Sequence, residues 1–146
     1  MRILLSTFAL WCLVPLAFAQ TDSTDSSNYV ADIELETSAE FVELLQRASQ
    51  LLVDGVVSQE GAAKVTFVLH GPVIEDLLRQ NYIAHRELVD LAASLTALEV
   101  VDIKACRAWM GSNGIAEEDL QPFVETVSLG PGEVQRLRVE KSYLDF

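Results

Sequence analysis

The chain has 146 residues, with 10 Lys+Arg against 22 Asp+Glu and a formal net charge of −12. An excess of negative charge this large repels nucleic acid and anionic lipid surfaces, so neither is an expected partner. The length fits one domain with a real core.

Residues 1–19 read as a targeting segment outside the fold. Arg2 supplies a positive start, Ile3 to Leu16 is an almost wholly apolar run, and Ala17-Phe18-Ala19 is a small-x-small cleavage site. That is the pattern of a secretory signal peptide, with Gln20 as the first mature residue. The apolar run is short of the ~20 residues of a membrane span. The expected location is therefore periplasmic or secreted, with no membrane attachment after cleavage. Arg2 is the only charged residue lost, which leaves nine basic against 22 acidic residues, a net charge of −13. Cys12 leaves as well, so Cys106 is the sole mature cysteine.

Residues 20–28, QTDSTDSSN, form a polar tether without an apolar anchor. The folded domain is expected over 29–146. Tyr29 to Leu35 alternates apolar and acidic positions and reads as a half-buried strand. Thr37-Ser38-Ala39-Glu40 has the form of a capping box, opening a helix with Phe41, Leu44, Leu45, Ala48, Leu51 and Leu52 on one face. Gly55 is its expected stop, and 58–63 a loop.

Lys64 to Leu69 is the next strand, apolar enough for burial on both faces as in a parallel sheet. It ends in His70-Gly71-Pro72, where glycine lets the chain turn and proline suits a helix start. A short helix is expected over 72–80, with Val73, Leu77 and Leu78 inward. A longer one is expected over 84–98, with Leu88, Leu91, Ala92, Leu95 and Leu98 on one face. His85 lies off that stripe and reads as solvated. Val100 to Ala105 is a third strand, and Cys106 is where the chain leaves the sheet. After the small residues 111–114 come a helical turn at 115–119, a strand at 123–127, a turn at Gly130-Pro131-Gly132, a helix at 133–141 and an edge strand at 143–146.

Strand and helix in alternation five times over predict an α/β fold: a three-layer α/β/α sandwich on a mostly parallel five-stranded sheet. Sites in such sheets form at the carboxyl ends of strands. His70-Gly71 and Cys106 sit at the ends of the two most apolar strands, so one rim can hold both. A lone thiol in an oxidising compartment is either buried and inert, here beneath Trp109 and Met110, or exposed for chemistry. The thiolate is the reactive form, and a helix starting after Cys106, with Arg107 as a neighbouring cation, would favour the anion. His70 reads as a structural rim histidine, as a partner orienting or deprotonating Cys106, or as a metal ligand. One histidine and one cysteine are too few for a closed zinc site, so no metal and no cofactor are expected.

The runs VTFVLHGPVIEDLL, VDIKAC and GIAEEDLQPFVETVSLGPGEVQRL, with the final Tyr143, resemble the DsrE/DsrF-like proteins, in their signal-peptide-bearing single-domain branch. The resemblance implies a sulfur relay in which Cys106 carries a persulfide. It also implies a homo-oligomer, trimer or hexamer, and a thiol-bearing protein as sulfur donor or acceptor. The candidate catalytic positions are then Cys106 and His70, with Gly71 and Arg107 as substrate-binding positions. In place of the small residues and basic-glycine turn of the cytoplasmic relays, this chain has Arg107-Ala108-Trp109-Met110 after its cysteine. A non-catalytic binding module of the same fold is the alternative. Trp109, Phe123 and Phe146 are the apolar residues expected to be buried between subunits.

Overall fold

Two short runs rich in β-branched residues become adjacent strands in the middle of one parallel sheet. In the computed structural model, which describes residues 29–35, 37–54, 65–140 and 142–143, these are β2 (Val65–Leu69) and β3 (Val101–Cys106). They pair in register from Val65↔Val101 to Leu69↔Ala105. β1 (Tyr29–Ile33) lies on the other side of β2, and β4 (Val124–Val127) on the other side of β3. All these pairings are parallel.

The body of the sheet thus has four strands, not the five expected. The segment predicted as a fifth, 143–146, is represented by β5 (Ser142–Tyr143), a two-residue pairing on the outer edge of β1. The order is β4-β3-β2-β1-β5. Residues 144–146 lie outside the described residues, as do the targeting segment, the tether, the Gly55 stop and the 58–63 loop.

Strand faces alternate, and each face has its own cover. Phe67, Leu69, Ile103 and Ala105 join the larger core, with α1 (Ser38–Val53), α2 (Val73–Asp76) and α3 (Arg86–Ala97) packed above them. The Phe41 and Phe67 rings meet edge to face, with centroids 6.1 Å apart, a geometry worth about 0.5–1.5 kcal/mol beyond the area it buries. Val30 and Val68 point the other way, into a small core closed by Val134 and Leu137 of α5 (Gly130–Glu140).

The second cover follows from handedness. From β1 to β4 each strand is added on the same side of its predecessor, so right-handed crossovers keep those helices on one face. The last crossover returns from the β4 edge to β5 beyond β1, and a right-handed return passes over the opposite face. The short helix α4 (Arg107–Ser112) belongs to the first face, since its Met110 sits in the larger core.

Several boundaries moved. The capping box forms as read: the Thr37 N–H donates to Glu40 Oε2 at 3.1 Å and the Glu40 N–H to Thr37 Oγ1 at 3.4 Å. The 84–98 helix runs only from Arg86 to Ala97, and Leu98 is exposed. The 72–80 helix breaks into α2 and a 3-10 turn at Arg79–Asn81. The expected turn Gly130-Pro131-Gly132 is the first turn of α5, where proline's fixed φ and missing N–H cost nothing. Trp109 and Phe123 are partly buried, packed against the larger core of their own chain. Among the described residues no helix is long and apolar enough to cross a membrane.

Candidate functional site

Cys106 is the last residue of β3, and by register its side chain shares the face of Val68 and Lys104. It is buried, with 3% of its surface exposed. Its sulfur does not cap α4, the helix that starts next to it. It accepts the backbone N–H of Gly130, the first residue of α5, at 3.2 Å. The helix expected after Cys106 exists, but the donor to sulfur comes from the following one. The thiol is buried, though not beneath Trp109 and Met110, which belong to the other face.

Gly130 comes close, with room for a methyl group in ordinary van der Waals contact. A Cβ there would lie 3.4 Å from Cys106 Cβ, 3.6 Å from Val68 Cγ1 and 3.7 Å from Cys106 Sγ. The N–H on the sulfur comes from the first turn of an eleven-residue helix. Pro131 within Gly130-Pro131-Gly132 is the signal in the sequence that the helix begins this early.

The place is defined by topology. The chain leaves β3 toward one face through α4 and leaves β4 toward the other through α5. The carboxyl ends of β3 and β4 therefore flank a topological switch point, where open α/β sheets form their crevices. An open groove of about 400 Å³ lies there, lined by Arg107, Val127, Ser128, Leu129, Gly132 and Glu133. Cys106 sits behind its wall, in register with Val127.

Arg107 stands at the groove with its guanidinium engaged. Nη2 donates to Ser128 Oγ at 3.0 Å and Nη1 to Glu117 Oε1 at 3.2 Å. Glu117 also accepts from Thr126 Oγ1 at 2.6 Å. The Thr126 hydrogen bond, with the Arg107 charge, holds the Glu117 carboxyl below its ordinary value. On the same face as Cys106, Lys104 lies 2.7 Å from Glu125 and 3.2 Å from Asp102. Burial pulls its ammonium down, but the hydrogen bond it donates to Glu125 and the charge of Asp102 outweigh that and hold Lys104 above its ordinary value.

His70 follows β2 as Cys106 ends β3, one step beyond the Leu69↔Ala105 pair. The two share a rim, yet the imidazole is turned toward β1. Nε2 lies 2.7 Å from Asp32 Oδ1 and Nδ1 3.8 Å from Glu34 Oε2. Both ring nitrogens face carboxylates of the first strand and its exit, and the His70 N–H donates to the Ile33 carbonyl. Gly71 is buried, with φ +122°, a conformation open to glycine. Its place there is a backbone one. The structure thus brings Cys106 and Arg107 to the groove and leaves His70 and Gly71 against β1. Among the described residues no three His, Cys, Asp or Glu side chains group closely enough to hold a metal ion.

His85 is not simply solvated. Its Nδ1 lies 3.1 Å from Ser38 Oγ and its Nε2 3.4 Å from Asp76 Oδ1, while Ser38 Oγ donates to Asp76 Oδ2 at 2.8 Å. The Ser38 hydroxyl lies within hydrogen-bond reach of both the carboxylate and the imidazole. The trio pins the starts of α1 and α3 to the end of α2.

No family model matches the chain, and no curated protein matches it. It is similar to a solved structure of a protein of unknown function, MTH1491, from Methanobacterium thermoautotrophicum. The TM-score is 0.65 and the identity 21%, over 81% of this chain and 97% of that one. At that identity the likeness is one of fold: an α/β fold with a parallel sheet and helices packed on it.

Proposed function

We propose that the chain is an exported sulfur-transfer protein of the DsrE/DsrF-like family, a three-layer α/β/α domain that carries sulfur on Cys106. The observation that carries this reading is the placement of Cys106: the sole cysteine after the targeting segment, at the switch point, with a helix N–H on its sulfur. The Cys106 thiolate attacks the sulfane sulfur of a donor. A new S–S bond forms as the donor's S–S bond breaks, and the donor leaves as a thiolate. An acceptor thiolate then attacks the outer sulfur of the persulfide, and Cys106 leaves as a thiolate. No internal resolving cysteine takes part, and one would divert the persulfide into a disulfide. The donor and acceptor are thiol-bearing partners. The protein works as a homo-oligomer, trimer or hexamer, in the periplasm or outside the cell.

Mass spectrometry of the protein purified from the exporting cell tests this. The chain should begin at Gln20, gain the mass of one sulfur on exposure to polysulfide, and lose it to dithiothreitol. Cys106→Ser should abolish the gain. Loading that persists in that variant, or none on an accessible wild-type thiol, overturns the reading. Light scattering at micromolar concentration that returns a monomer overturns the oligomer.

A second reading, a binding module without turnover, is favoured by the 3% exposure of Cys106. It takes precedence if the wild-type thiol is alkylated but never loaded.

A further inference from the structure

Cys106 is reached only if something moves, and the contacts around it indicate which part. Its inner neighbour Val68 belongs to the middle strand of the sheet and is fully buried. Its outer cover is the link from β4 to α5. That link is lightly anchored. Among the described residues β4 pairs with β3 alone. Leu129 leaves 54% of its surface exposed, and Gly130 and Gly132 bring no side chain to either side of Pro131.

One side chain ties the link down from across the groove. Arg107 holds Ser128 Oγ with Nη2 and Glu117 with Nη1, and Glu117 in turn holds Thr126 on β4. These groups are half exposed, at 47% for the Arg107 side chain and 52% for Glu117. Solvent and salt keep such contacts weak, so they bias an equilibrium rather than lock it. The groove opens on the outer side of the same link, and the sulfur lies on the inner side.

We propose that Arg107 and Ser128 form a latch that sets how often the β4–α5 link lifts away from Cys106, so that the thiol is gated from the groove. The latch regulates the site of the sulfur-transfer reading and rests on that reading for its use, but access itself is measured without sulfur chemistry.

The experiment is the rate of iodoacetamide alkylation of Cys106 in the folded protein, followed by mass spectrometry. Arg107→Gln and Ser128→Ala should each speed alkylation about 2–5-fold, the scale of one exposed charged contact. Arg86→Gln, which removes an exposed pair on α3 away from the groove, should leave the rate unchanged. Wild-type rates in both latch variants, or equal acceleration by Arg86→Gln, overturn the latch. Faster alkylation with no persulfide formed by polysulfide leaves the latch standing and overturns sulfur transfer. Normal persulfide with unchanged alkylation does the reverse.

Discussion

The Gly130 N–H reaches the sulfur of Cys106 across 3.2 Å, joining residues 24 positions apart from the two sides of the switch point. A Cβ on Gly130 would meet Cys106 and Val68 at 3.4–3.6 Å, ordinary van der Waals contact. Gly130→Ala should therefore keep the first turn of α5 on the sulfur while reducing the freedom of the unfolded chain, for a net gain of up to about 1 kcal/mol. Urea unfolding reads this directly, and a lowered midpoint would show that the packing at sulfur is tighter than described.

Gly71 and Glu99 make a paired test of backbone strain. Gly71 has φ +122°, and Gly71→Ala should cost about 1–3 kcal/mol. Glu99, exposed after α3, is the non-glycine residue with positive φ among the described residues, at 56°. Glu99→Gly should gain up to about 1 kcal/mol. The two variants should move the denaturant midpoint in opposite directions, and a shift of the same sign in both refutes the assignment.

His70 is held by Asp32 and Glu34, so its side chain should matter to the rim more than to the thiol. His70→Ala should leave the persulfide loading rate within about twofold and reduce stability by up to about 1 kcal/mol, the range of a partly exposed pair. A tenfold fall in loading rate with normal stability would instead place the imidazole on Cys106 during the reaction.

Two charged groups give the pH profile its sign. Glu117 is held below its ordinary value of 4.5, chiefly by Thr126. Its contribution to stability is full above that value and is lost as pH falls through the lower folded value. Glu117→Gln should flatten the acid side of the stability curve. Lys104 is held above its ordinary 10.5. Its contribution is full below that value and is lost as pH rises through the folded one. Lys104→Met should flatten the alkaline side. Curves identical to wild type at either end would remove the corresponding assignment.

What could be read from the residues alone was local. The capping box at Thr37 and Glu40 is spelled within four positions, β2 announces itself by an apolar run broken only by Thr66, and β3 by its β-branched Val101 and Ile103. The rim position of Cys106 followed from the strand ending there. The donor to its sulfur did not, because Gly130-Pro131-Gly132 has the composition of a turn and Cys106 lies in another crossover. His85 escaped for the same reason. Ser38 is 47 positions away, and nothing in the Ala84–Arg86 neighbourhood marks the imidazole as paired. Burial of Val30 under α5 likewise depends on the returning crossover, which strand alternation in β1 does not reveal.

That crossover also sets which contacts are local. β2, β3 and β4 each pair with the strand just before them in the chain, so most of the sheet joins sequence neighbours. α5 instead packs on Val30 and Val68 from the far end of the sequence, a closure of high contact order. The cover over Cys106 is therefore the part of the fold that closes the longest loop, and any state in which α5 is undocked leaves the thiol bare.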